Sequence, residues 1–370
     1  MKQTMTPKER WLAAIRMQPV DRLPFWPKID GAYPPAQDPP FRGLTRDRIH
    51  DWIGSDKHTW ISSCIREVRK RSSVETIRDN GTMRTVYSIA GAELLQVRTF
   101  DSASNSWHPV EFPIKSRADI EVMTDVCRDV NIELDPDALQ EAHRQAKSIG
   151  LNALTTNTIG ESPLMDCVEW LAGVENAHFL LMDHPSEVEA LFAAMHDVLL
   201  AKTRVLCEYS PADVFYMIEN TSTTLISPDQ YRQYCARHVG DYARLTRAAD
   251  RNLILHMCGH LKAILPDLAR IPAQAFEAFT SPTLGNTSLM DGRRACPAHC
   301  LIGGTNAMLW TRPAEEIIAK IETDLNELPH HRGIVVTSAG VMPPLCKPET
   351  IKQVCDWVKQ YPIRMGDTPH

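Results

Sequence analysis

From about residue 150 onward the chain alternates short apolar runs with longer amphipathic stretches, and this alternation constrains the fold more than any other feature. Strands are predicted at Asn152–Thr156, Val214–Ile218, Leu253–His256, Ala275–Phe279, Cys300–Gly303 and Ile334–Ser338. Between them Val188, Leu191, Phe192, Met195, Val198 and Leu199 recur at helical spacing, as do Tyr231, Tyr234, Cys235, His238, Tyr242 and Leu245. Ser227-Pro228, Pro313 and Pro348 read as helix starts, because proline suits a first turn whose N–H would go unpaired. The order strand, loop, helix fits a closed (β/α)8 barrel or an open doubly wound sheet. No glycine-rich dinucleotide fingerprint and no P-loop lysine motif follows any of the strands.

The first 150 residues are less regular. Thr6–Met17 reads as an amphipathic helix with Trp11, Leu12, Ile15 and Arg16 set to dock one face, and Pro19–Ile29 as a first barrel strand. Residues 74 to 113 alternate polar and apolar positions with few helix formers, which predicts a small β-hairpin region beside the sheet. The whole of 1–370 is read as a single domain with an irregular N-terminal elaboration at about 30–150.

Composition removes several classes of function. With 370 residues and 43% hydrophobic content, the chain is large enough to bury the core of one large α/β barrel or of two smaller domains. A net charge of −6 argues against a nucleic-acid partner, which needs a concentrated basic face. The basic run Arg66–Arg71 is read as a solvated helix face. No window approaches the roughly 20 apolar residues of a membrane span, and MKQTMTPKERW lacks the apolar core of a signal peptide, so a cytoplasmic protein is expected. Ten cysteines without regular spacing are expected to be reduced thiols, with Cys207, Cys235 and Cys355 packed as small hydrophobes.

The chemistry concentrates at LILHMCGH, residues 253 to 260. Residues two apart on a strand share a face, so His256 and Cys258 can lean toward one metal ion at the strand tip; a buried histidine beside an inert cysteine is the bland reading of the same pair. Further donors would come from other strand ends: Glu219 after FYMI, Glu277 in QAFEAF, and Cys346 in the proline-flanked loop VMPPLCKP. Glu219 and Asn220 are candidates for catalysis. Trp26, Tyr216, Asn157 and Asn306 are candidates for substrate binding, with Phe25, Trp310 and Glu161 also placed near a mouth. Cys296, His299 and Cys300 form a competing cluster with no evident fourth ligand.

The segments TPKERWLAAIRMQPVDRLPFWP, HMCGH, CLIGGTNA and VVTSAGVMPP with KPETIKQV resemble the uroporphyrinogen decarboxylase superfamily, and within it the corrinoid-linked methyltransferase branch. The resemblance implies a (β/α)8 TIM barrel with its active site in the mouth. It also implies zinc held by His256, Cys258 and a later cysteine, and a corrinoid (cobalamin) delivered by a carrier protein to react with a small methylated substrate or thiol. A homodimer is compatible with it. The family loop G-C-G-I-P-P aligns with Ala339–Pro344, where Gly340 stands at the cysteine position; Cys346, Glu277 or Glu219 would then complete the site. The aromatic mouth leans toward demethylation of a small methyl donor. A metal-free decarboxylase-type lyase and a non-catalytic binding barrel are the alternatives; PFWPKIDGAYPP has none of the arginines a porphyrin would call for.

Overall fold

A computed structural model describes residues 4–366, apart from the side chain of Ala278. Eight parallel strands run round a barrel: β1 (Phe25–Trp26), β2 (Lys57–Trp60), β3 (Ala153–Gly160), β4 (Val214–Ile218), β5 (Asn252–His256), β6 (Ala275–Phe279), β7 (Cys300–Gly303) and β8 (Ile334–Thr337). From β2 to β8 each strand pairs with its neighbours in chain order, and β8 returns to pair with β1. The closed-barrel reading therefore holds over the open sheet, and the six strands predicted after residue 150 appear within a few residues of their expected ends. The first strand is much shorter than the predicted Pro19–Ile29, because the prolines there hold the flanking chain outside the ladder.

Period-two alternation divides the strand residues between two cores. Leu154, Val214, Ile254, Ala275, Ile302 and Val335 fill the barrel interior, while Phe215, Leu253, Leu255, Phe276 and Leu301 pack outward against the helices. The helix Pro7–Ile15 closes the interior from below with Trp11, Ala14 and Ile15. It starts as a capping box, with Thr6 and Glu9 satisfying each other's backbone donors and Pro7 in the first turn.

The ladder is interrupted between β1 and β2, and a buried carboxylate closes that seam. Asp56 donates its N–H to the Phe25 carbonyl at 2.8 Å and accepts from Phe25 N at 3.0 Å. Its fully buried oxygens also take Arg10 at 2.5 Å and Arg22 at 2.7 Å. A desolvated carboxylate is tolerable only with this many donors.

The N-terminal elaboration is a four-stranded antiparallel meander, Ser72–Asp79, Thr82–Ile89, Ala92–Asp101 and Ser106–Glu111, where hairpins are predicted. Its first turn is Asn80-Gly81, both at positive φ, the pairing that two-residue hairpins favour. Arg66–Arg71 is not a helix face: Ile65–Val68 pairs antiparallel with Asn131–Leu134, and the rest leads into the meander. Arg69 pairs with Glu67, and Asp129 accepts from the backbone N–H groups of Lys70, Arg71 and Ser72, which holds this stretch as a turn. Among the described residues no helix is long and apolar enough to cross a membrane.

Candidate active site

β5 carries Ile254 inward and Leu255 outward, so the same alternation turns His256 into the barrel at its C-terminal end, the end where barrel enzymes carry their chemistry. Met257 is buried outward, and Cys258 faces inward and is exposed. Gly259 has φ +93°, and an added Cβ would lie 2.6 Å from Ser222 Oγ, so only glycine lets the chain turn here. The tip is clamped from β4, since the N–H groups of Glu219 and Asn220 both donate to the His256 carbonyl.

Each ring nitrogen of His256 has its own partner. Nε2 stands 2.8 Å from Cys258 Sγ, and Nδ1 contacts the fully buried carboxylate of Glu277. Glu277 also accepts from Tyr216 OH at 2.5 Å and from Lys28 Nζ at 2.9 Å. Burial works against the charge on both groups, but their mutual attraction wins: His256 is pushed up to about 9 and Glu277 falls well below the usual carboxylate range.

A cavity of about 210 Å³ opens beside this pair, lined by Trp26, Lys28, His58, Trp60, Tyr216 and His256 among others. Its aromatic wall is continuous: His58 lies 4.7 Å from Trp26, 5.6 Å from Trp60 and 5.4 Å from Tyr216. Burial holds His58 neutral, down at about 3.

On the other side of Cys258 stands an acidic group. Asn220, at φ 47°, lies with Oδ1 3.7 Å from Cys258 Sγ and donates through Nδ2 to Glu169 Oε2 at 3.0 Å. Glu169 Oε1 is buried without a hydrogen-bond partner among the described residues, and burial lifts this carboxyl to about 7. Glu169 sits on a π turn, Cys167–Leu171, a local widening of the helix that recurs at functional sites. Glu161, next to it, is lifted to about 9 by burial and then by the charges of Glu169 and Asp166.

Several expected site residues sit elsewhere. Glu219 is fully buried and does not line the cavity beside His256, accepting from Ser162 N at 2.7 Å and Ser162 Oγ at 2.5 Å. Asn157 braces the loop after β2, donating to the Ile61 carbonyl at 2.7 Å and accepting from Ser210 at 2.6 Å. Asn306 caps the turn Ala307–Thr311 and donates to Ser281 Oγ and to the Pro282 carbonyl. Both amides are thus engaged in holding loops, not in facing the cavity. Phe25 and Trp310 pack on each other at 6.0 Å outside the barrel, so that of the four expected aromatics Trp26 and Tyr216 line the cavity. In the competing cluster Cys300 faces inward while Cys296 packs outward and His299 points Nε2 at the Ile271 carbonyl, so the three do not converge.

For a metal, the pair His256 and Cys258 fits as two donors. Zinc bonds of about 2.0 Å to nitrogen and 2.3 Å to sulfur separate tetrahedral ligands by roughly 3.5 Å, a small opening from the 2.8 Å seen between Nε2 and Sγ. Glu277 stands behind the ring on Nδ1 instead of beside the sulfur, where a carboxylate fixes the tautomer that leaves Nε2 free. Cys346 is buried in the outer core with Sγ toward the Lys347 carbonyl. Among the described residues no three His, Cys, Asp or Glu side chains form a metal-binding group, so the third protein donor expected from the resemblance is not in place. At Gly340, the position where the resembling family carries a cysteine, an added Cβ would meet only Ala307 Cβ, at 3.6 Å.

Lys28, His58, Trp60 and Glu169 were not anticipated. Lys28 is two residues after Trp26 and shares its face, a signal the short strand obscured. His58 and Trp60 lie in β2, within a region lacking clear periodicity. Glu169 and Asp166 are acids three apart in an otherwise apolar stretch, PLMDCVEWL, which is the cue that marks them.

A parallel eight-stranded barrel with a histidine, a thiol and titratable carboxyls at its C-terminal mouth has the architecture of a barrel enzyme. More particularly, the chain belongs to the uroporphyrinogen decarboxylase (URO-D) family, whose model matches residues 165–361. It is 25% identical over 155 residues to the methylated-thiol–coenzyme M methyltransferase of Methanosarcina mazei, a match covering 40% of this chain and 41% of that protein. Its fold is similar to a solved methyltransferase from Methanosarcina mazei, with TM-score 0.60 and 16% identity over 96% of this chain and 99% of the other. Both of these proteins are methyltransferases.

Proposed function

We propose that this protein is a zinc-dependent methyltransferase that moves a methyl group between a small methylated substrate or a thiol and a corrinoid carried by a partner protein. The observation that supports this most is the orientation of His256, with Nδ1 against Glu277 and Nε2 turned to Cys258 at the open end of the barrel. His256 and Cys258 would hold the metal. Zinc bound there would supply Lewis acidity, lowering the pKa of a thiol or polarising the heteroatom that carries a methyl group.

The chain's own groups do the rest. Glu277 keeps the proton of His256 on Nδ1 and presents Nε2 as a donor. Tyr216 and Lys28 donate to the same carboxylate, which keeps it ionised although fully buried. Trp26, Trp60 and Tyr216 give the cavity beside the pair an aromatic wall against which a methyl group would pack. Glu169 Oε1, without a partner and with its carboxyl lifted to about 7, is suited to hold or release a proton on the far side of Cys258.

The reading is tested by mixing the zinc-loaded protein with methylcobalamin and a panel of thiols, and with cob(I)alamin and a panel of methylated thiols, amines and phenols, following the corrin spectrum. Turnover with at least one compound, lost in Cys258→Ala, is expected. A spectrum unchanged with every compound counts against it.

A further inference from the structure

A second, larger cavity of about 420 Å³ lies away from the mouth, between the meander, the helices Arg117–Arg128 and Pro185–Tyr209, and the π turn. Its volume falls in the range of small-molecule sites. Met123, Val126, Met195 and Leu199 make one side of it apolar.

The charged groups in its wall are unequally matched. Glu67 takes both Arg69, at 2.7 Å, and Lys202, at 2.8 Å. Arg98 and Asp166 are left over. Arg98 donates Nε to Gln96 at 3.0 Å and lies 5.2 Å over the ring of Trp170, an arrangement that fixes the guanidinium plane. Its two terminal nitrogens make no hydrogen bond or ion pair among the described residues. Asp166 likewise has no ion-pair or hydrogen-bond partner for its carboxylate among the described residues, although Arg98 lines the same cavity. Asp166 feels the charges of Lys202 and Arg98 without a hydrogen bond or ion pair to either, and a cation and an anion that line one cavity without pairing are complementary to a ligand bearing both charges.

We propose that this cavity is a binding site for a small zwitterion, an α-amino acid with an apolar side chain. The ligand's carboxylate pairs with the terminal nitrogens of Arg98, its ammonium with Asp166, and its side chain lies against Met123, Met195 and Leu199. Asp166 leads directly into the π turn whose Glu169 holds Asn220 beside Cys258, so the site has a short covalent route to the mouth.

The test is calorimetric titration of the full chain at neutral pH with leucine and phenylalanine, and with isocaproate and isoamylamine, which are leucine without its ammonium and without its carboxylate. At least one amino acid is expected to bind, both truncated analogues to bind about tenfold or more weakly than leucine, and Arg98→Gln and Asp166→Asn each to weaken binding by a similar factor. Arg98→Lys keeps the charge and loses the planar fork, so it should weaken binding less than Arg98→Gln. Absence of heat with both amino acids would overturn the proposal, as would isocaproate binding as tightly as leucine. The analogue series uses the native chain, so it decides the matter even if a variant does not fold.

Discussion

His256 Nε2 lies 2.8 Å from Cys258 Sγ, a juxtaposition of two donors two residues apart on one strand tip. What makes the pair usable is the carboxylate behind it. Replacing Glu277 by glutamine keeps the shape and removes the charge that fixes the His256 tautomer. Zinc affinity should fall roughly 10- to 100-fold in a chelator competition, with the fold unchanged by circular dichroism. Affinity equal to the native protein's would mean that Glu277 has no part in orienting the ring.

Two substitutions in the last loop separate positions that the sequence leaves ambiguous. Cys346→Ser should leave zinc stoichiometry unchanged, since that thiol is packed in the outer core. Gly340→Cys should fold normally, because the added Cβ has only ordinary contact with Ala307, and should slow zinc loss to chelator by supplying a further donor. Zinc lost on changing Cys346 would reverse this assignment.

Glu161 makes stability depend on pH. Its carboxyl is raised to about 9, so the native chain holds this proton more tightly than the unfolded chain does. Its contribution therefore declines as pH climbs from the ordinary carboxylate range toward about 9, because ionising it in the fold costs more than ionising it unfolded. Glu161→Gln removes that slope while its carbonyl can still accept from Trp170. Thermal melts should show the variant gaining a few degrees over the native protein at pH 8.5 relative to pH 5; parallel curves would refute the assignment.

The Asp56 staple predicts a stability effect remote from the mouth. Asp56→Asn leaves Arg22 buried without its counter-charge and Arg10 with Asp21 alone, and should cost about 3–5 kcal/mol. Urea denaturation should show the lower midpoint with a similar slope.

The barrel was legible because each strand after residue 150 is an apolar run bounded by polar turns, and local periodicity survives into the fold. The pair at 256 and 258 followed from the same two-residue period. What escaped was set by non-local geometry. Whether Glu277 meets a metal or the back of a ring depends on the register of β5 with β6, where His256 stands opposite Glu277. Asn157 and Asn306 looked available in sequence because the carbonyls that use them come from distant loops. His58 and Trp60 were hidden by a strand of four residues whose partners begin almost a hundred positions later.

The account is tested most directly by elemental analysis of the purified protein beside His256→Ala and Cys258→Ala. It predicts one zinc per native chain and loss of that zinc in both variants, each with a native circular dichroism spectrum. A native protein that transfers methyl groups after exhaustive chelation, or variants that keep the full metal content, would contradict it.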